Sequence, residues 1–207
     1  MKMLEFKYIN GVRVFCAKSK EDLIRYALNE KGILIAVNAE KIYHASDGDF
    51  KLLINQNIGY PDGIGAVWAL KKKGFNDAVK IPGVELWLDI IAQNVGSKTF
   101  YLIGATSEVL ERTIHKLEEN YPGIRIVGAR DGYIKEDEVE GLVSDIKLHT
   151  PDIVFVAMGS PRQEYLMEKL SSSHKALYQG LGGSFDVYSG KVQRAPQWYL
   201  DRNLEWL

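Results

Sequence analysis

Apolar and polar positions alternate from Leu4 to Ile9 and again from Val12 to Phe15, with Asn10-Gly11 between the two runs. Alternation gives each run one face for a core, and Asn-Gly adopts the positive-φ pair of a tight two-residue turn. The start of the chain therefore reads as a small antiparallel β-hairpin. The period then lengthens. Ser19 with Asp22 after it forms a cap-like start, and Leu23, Ile24, Ala27 and Leu28 share a helical face that ends at Gly32. Ile33 to Val37 is an unbroken apolar run rich in branched residues, the pattern of a strand covered on both faces. A short apolar run from Ile58 leads to Pro61-Asp62-Gly63, and helical spacing continues from Gly63 to Lys73.

Pro82 suits the first turn of a helix, and Val84, Trp87, Leu88, Ile91 and Ala92 extend it as an amphipathic face. Thr99 to Ile103 is again a buried strand, running into Gly104-Ala105-Thr106. Its helix, Ser107 to Asn120, turns Val109, Leu110, Ile114 and Leu117 inward and stops at Pro122-Gly123. The succession recurs. Ile124 to Val127 leads to Asp131-Gly132-Tyr133, and Glu136 to Leu148 is a helix with a charged face. Asp152 to Met158 leads to Gly159-Ser160-Pro161, Arg162 to Leu170 is a helix, and Ala176 to Leu181 leads to Gly182-Gly183-Ser184. Strand, glycine turn and helix in alternation predict an α/β fold: a parallel sheet joined by right-handed crossovers, helices on both faces, and the hairpin at the start. Ligand sites in such sheets gather at the C-terminal strand ends. The turns at Asn38, Asp62, Gly104, Gly159 and Gly182 converge there.

Composition narrows the picture. A chain of 207 residues, 46% of them hydrophobic, buries one sizeable core, so residues 1–207 are read as a single domain. A net charge of -1 supplies no field to attract nucleic acid. The single cysteine, Cys16, excludes an internal disulfide and fits a reducing cytoplasm. No apolar run nears the length of a membrane span, and the first residues lack a leader's charged start and apolar block.

Candidate chemistry centres on Asp62. Pro61 and Gly63 favour a tight turn around it, and Gly63 with Gly65 leaves space for a ligand against the backbone, so Asp62 reads as a general base. The same tripeptide is also an ordinary turn, with Asp62 capping the helix that follows. The glycine turns at Gly104, Gly159 and Gly183 open helices whose free N–H groups suit a diphosphate. Lys71 to Lys73 either touch phosphate or form a solvated helix end favoured by the helix dipole. Gly63-Ile64-Gly65 begins a dinucleotide-like glycine pattern, but Trp68 fills the position that needs a small residue, which argues against a dehydrogenase. Asp47-Gly48-Asp49 has a form that holds metal in many sugar transferases; in its polar setting it reads better as a capping turn.

Several segments in order resemble one family. IAVNAEKI (35–42), YPDGIGAVWA (60–69), IPGVELW (81–87), AMGSPRQE (157–164), GLGGSFDVYSGKVQRAP (180–196) and the terminal LEWL are together similar to the WecG/TagA/CpsF glycosyltransferases, glycosyltransferase family 26. The resemblance implies a Rossmann-like fold. It also implies transfer of N-acetylmannosamine or N-acetylmannosaminuronic acid from UDP to undecaprenyl-diphosphate-linked N-acetylglucosamine, with inversion and without metal or other cofactor. Residue by residue, it makes Asp62 the catalytic base, Asn38 a pocket residue and Gln163 a donor-binding residue. Helix starts at Gly104, Gly159 and Gly183, with Arg162, Lys80 or Arg194 as cations, would then meet the charge of the leaving UDP.

Ala36 stands where many relatives carry threonine, and Lys80 where many carry arginine, which keeps the charge but not the bidentate fork. Ala36, NAEK and AMGSPRQE resemble the uronic-acid-transferring branch, whose extra carboxylate would want Lys41 or Arg162 as a partner. The resemblance further implies a peripheral enzyme on the inner face of the cell membrane, attached by a basic tail that is not present after Leu207. Without it Trp198, Tyr199 and Trp206 form either a core-facing stripe or a patch covered by the tail or a second subunit, and the expectation is UDP binding with poor turnover. Homo-oligomerisation stays open. A nucleotide-binding regulatory module or an NAD-dependent dehydrogenase is the competing reading; the former has no need of Asp62.

Overall fold

The computed structural model describes residues 5–45 and 48–193. Strands β1 (Phe6–Ile9) and β2 (Val12–Phe15) pair antiparallel across Asn10 and Gly11, both at positive φ (48° and 80°), as a twisted two-residue turn requires. Helix α1 (Lys20–Glu30) follows, capped by Ser19 accepting from Asp22 N. Next come β3 (Gly32–Val37), α2 (Ala39–His44), α3 (Gly48–Gln56), β4 (Ile58–Pro61), α4 (Ile64–Lys72) and α5 (Gly83–Asn94). The second half runs β5 (Thr99–Gly104), α6 (Ser107–Asn120), β6 (Arg125–Arg130), a short 3-10 turn at Glu136–Glu138, α7 (Val139–His149), β7 (Ile153–Ala157), α8 (Arg162–Ser173), β8 (Leu177–Gly180) and α9 (Ser184–Ser189).

The six strands β4-β3-β8-β7-β5-β6 form one sheet, every neighbouring pair parallel. Strand period sorts the core into two layers. Ile33, Ile35, Val37, Val154 and Val156 face α3, α4, α7, α8 and the hairpin, whereas Leu34, Ile153 and Phe155 face α1, α5, α6 and α9. The fold is thus the Rossmann-like α/β arrangement expected, with helices on both faces and the hairpin beside β4. A Cβ at Gly59 of β4 would come within 2.6 Å of Arg13 O, so the hairpin sits closely on that edge strand.

Several details depart from the sequence reading. Helix α2 follows β3 directly where only a turn was expected, six residues being too few to show a sustained helical period, and α3 begins at the acidic stretch read as a capping turn. Strand β6 runs on to Arg130, because it pairs with β5 through a register shift at Phe100/Tyr101. In α5 the buried stripe is Leu86, Trp87, Ile90 and Ile91, and Ala92 is exposed. Trp87 explains that rotation: its ring packs against Phe155, Phe185 and Tyr188 at 5.2–5.7 Å, drawing the helix round it. Asp47, in the acidic turn, lies outside the described residues, as do Arg194, Trp198, Tyr199 and Trp206.

Candidate active site

The ends of β3, β4 and β8 open into a cavity of about 660 Å³. Asn38 follows β3 and caps α2, its Oδ1 accepting from Lys41 N at 2.8 Å. Asp62 follows β4, and its backbone N donates to Val37 O (3.1 Å), which fixes the turn against β3. Its carboxylate does not cap α4, the next helix, whose cap position is Gly63 with no side-chain bond. Instead Oδ1 accepts from Gly83 N at 2.7 Å, at the start of α5. A side chain at position 83 is excluded: its Cβ would stand 2.7 Å from Tyr60 Oη. Tyr60 is fully buried beneath this junction. Its phenol is pushed well above the ordinary range, by burial first and by the Asp62 charge second, so it stays protonated.

On the far wall, Gln163 and Glu164 open α8. Gln163 is no surface glutamine: it is 3% exposed, and its Oε1 accepts from Gly182 N at 2.9 Å. Its amide nitrogen donates to Glu164 Oε1 (3.1 Å), which also takes Lys41 Nζ (2.7 Å). Glu164 is 1% exposed, and its Oε2 is buried with no hydrogen-bond partner among the described residues. Lys41, Glu164, Gln163 and the Gly182 amide thus tie together the loops after β3, β7 and β8. Such a buried pair constrains geometry more surely than it stabilises.

A second cavity, about 380 Å³, opens at the ends of β7 and β5 and shares Gly182 with the first. Ala105, Thr106, Gly132, Gly159 and Gly183 line it, beside Arg162, Asp186 and Lys191. Helices α6, α8 and α9 all begin here, so their positive dipole ends favour an anion, although part of their first-turn N–H groups is already bonded, as Val109 N is to Thr106 Oγ1, Gln163 N to Gly159 O and Ser184 N to Leu181 O. Arg162 donates to Ile134 O at 3.0 Å, and Lys191 pairs with Asp186 at 3.2 Å.

Of the residues singled out from sequence, Asn38, Lys41, Asp62 and Gln163 line the larger cavity and Gly159, Arg162 and Gly183 the smaller. Gly104 lines neither. A Cβ there would lie 2.2 Å from Ala157 O, so this glycine permits the close approach of β5 to β7, and Ala105 and Thr106 take its place in the cavity wall. Lys80 is half-buried and lines neither cavity; Ile81 N, bonded to Pro61 O (2.9 Å), holds its segment beside the end of β4. Lys41 is not a free cation for a substrate carboxylate, since Glu164 occupies it. Glu164, Gly83, His44 and Lys191 were not singled out. The first two lie within the runs PRQE and IPGVELW, but their partners are remote in sequence. Among the described residues no group of three or more His, Cys, Asp or Glu is placed to hold a metal ion, and no helix is long and apolar enough to cross a membrane.

The model of one protein family, described as the glycosyl transferase WecG/TagA/CpsF family, matches residues 8–207. The chain belongs to this family and is a glycosyl transferase.

Proposed function

We propose that this family member transfers an N-acetylmannosamine-type sugar, with inversion, from UDP to an undecaprenyl-diphosphate-linked N-acetylglucosamine, in synthesis of a cell-surface polysaccharide at the inner face of the membrane. One observation carries the reading: a carboxylate, Asp62, fixed by a helix-start amide at 2.7 Å in the wall of a 660 Å³ cavity, next to a second cavity lined by helix starts. The smaller cavity suits the uridine diphosphate; the larger suits the sugar and the acceptor's reacting end.

In the step itself, an acceptor hydroxyl attacks the anomeric carbon from the face opposite UDP and Asp62 accepts its proton. The anomeric C–O bond breaks, and its electron pair leaves with UDP. The helix-start amides and Arg162 meet the added charge, and Lys191 exchanges Asp186 for the diphosphate. The reading is metal-independent, of the kind classed as glycosyltransferase family 26. Ala36 and the NAEK run favour a uronate donor. The Lys41–Glu164 pair favours a neutral one, because Glu164 already engages Lys41, and Arg162, the other cation expected to meet the extra carboxylate, lines the smaller cavity rather than the one assigned to the sugar.

The test is UDP release from UDP-N-acetylmannosamine and from its uronate, with an undecaprenyl-diphosphate-N-acetylglucosamine analogue, in buffer and in EDTA. Turnover that survives EDTA and is lost in Asp62→Asn supports the reading. UDP binding with no turnover on either donor overturns it.

A further inference from the structure

We infer that the seam between α2 and α4 is a membrane-docking face that takes anionic lipid headgroups beside the mouth of the larger cavity. The inference deepens the proposed function, and rests on it only for the acceptor being lipid-linked.

The two helices start side by side. A Cβ at Gly63 would stand 3.5 Å from Asn38 Cβ, and one at Gly65 would stand 3.7 Å from Ala39 Cβ. Helical spacing of three and four then puts Tyr43 on the face of α2 that carries Ala39, and Trp68 and Lys72 on the face of α4 that carries Gly65. The two aromatic residues therefore lie on the faces of α2 and α4 whose first residues adjoin. Tyr43 is 77% exposed and Trp68 65%. Rings with an apolar body and a polar tip, left this open to water, suit the boundary between water and lipid.

Charge points the same way. Lys71, Lys72 and Lys73 are exposed in the last turn of α4 and just beyond it, and none makes an ion pair among the described residues. The exposed carboxylate beyond them, Asp77, is held by Lys18 at 2.7 Å. Glu40 is exposed on α2 and lines the cavity rather than the seam. On a chain of net charge -1 this is a local cationic strip rather than a general one. Aromatic insertion together with a basic patch combines the two kinds of signal that stable peripheral attachment takes. Lys41 and His44 on α2 reach the cavity, so a bilayer against the seam would lie one helix away from the site where a lipid-linked acceptor must deliver its sugar.

The experiment is co-sedimentation of the full chain with phosphatidylcholine vesicles, with and without phosphatidylglycerol. It compares the unaltered protein, Tyr43→Ser with Trp68→Ser, and Lys71→Glu with Lys72→Glu. Transfer to a water-soluble short-chain acceptor and to a vesicle-embedded one is measured beside it. The expected result is at least about tenfold weaker partitioning for either variant, with the lysine variant losing its response to phosphatidylglycerol and to salt. Transfer to the vesicle-embedded acceptor falls in parallel, and transfer to the soluble acceptor is unchanged. Unchanged vesicle binding in both variants overturns the proposal. So does a fall in molar mass by light scattering in either variant, which would make the seam an interface between two copies of the chain. No transfer to the soluble acceptor by the unaltered protein would count against the proposed reaction, while leaving the vesicle comparison to decide the docking face.

Discussion

Two neighbouring cavities at the C-terminal edge of the sheet are built in opposite ways. The larger, under β4, β3 and β8, is walled by polar side chains already committed to partners: Asp62 to Gly83 N, Asn38 to Lys41 N, Gln163 to Gly182 N, Lys41 to Glu164. The smaller, at β7 and β5, is walled mostly by glycine, alanine and helix-start backbone, with exposed Arg162 and Lys191 reaching over it. A site held by mutual side-chain bonds has its reacting groups in place before substrate arrives, as bond-making chemistry demands. One lined by helix-start backbone and exposed cations would tolerate variation in an anion. On the proposed reading, chemistry and anion binding are divided between two halves of one edge, and the division can be attacked from either side.

The largest effect falls on Asp62. Asp62→Asn keeps the shape and an oxygen for Gly83 N but removes the base, and kcat is expected to fall about 10²–10⁴-fold with UDP affinity unchanged. Steady-state kinetics beside calorimetric titration with UDP checks this, and a variant that loses both breaks the division. Next is the buried pair. Glu164→Gln leaves the Lys41 charge without its carboxylate, 10% exposed, and is expected to cost about 3–5 kcal/mol in urea unfolding. Lys41→Met with Glu164→Leu is expected to recover most of that stability, and to raise KM for the sugar if the network positions Gln163. In the smaller cavity, Arg162→Met is expected to weaken UDP by roughly tenfold with kcat nearly retained, the loss of one charge-assisted contact at an exposed site.

Much of this arrangement is legible in the chain. The strands follow from their apolar runs, and the turns that end them follow from glycine and proline, because both signals are local. That Asp62 lies in a turn at the C-terminal strand ends was also readable; how it is held was not, since its partner amide lies 21 positions on, across α4. Lys41 shows the limit better. From sequence it is a cation beside a strand end, open to a substrate carboxylate, and only the fold brings it to Glu164, 123 positions away, and neutralises it. Gly104 errs in the other direction. Its glycine signal was real, but it reports a strand–strand approach rather than a ligand, and both produce the same residue in the same kind of turn.

The smallest effect serves as a control on the division, because it lies at the opposite edge of the sheet. Asp152, just before β7, accepts from Thr99 N (3.1 Å) and Thr99 Oγ1 (3.2 Å) and pairs with Lys98 (3.3 Å), tying the starts of β5 and β7 together. Partial burial works to raise its pKa, but the Thr99 hydrogen bonds and Lys98 outweigh it and hold the carboxyl below its usual value. A carboxyl with a depressed folded pKa contributes stability above its unfolded value of about 3.9, and that contribution is lost as pH falls through the folded pKa. Asp152→Asn is therefore expected to cost about 1 kcal/mol in urea unfolding at neutral pH, with the difference from the unaltered protein closing in acid. Both kcat and UDP affinity stay unchanged at neutral pH, because neither cavity touches this edge. Were this substitution to lower kcat as Asp62→Asn does, the effect of Asp62 would have to be read as general loosening of the sheet, and the separation of chemistry from anion binding would lose its support.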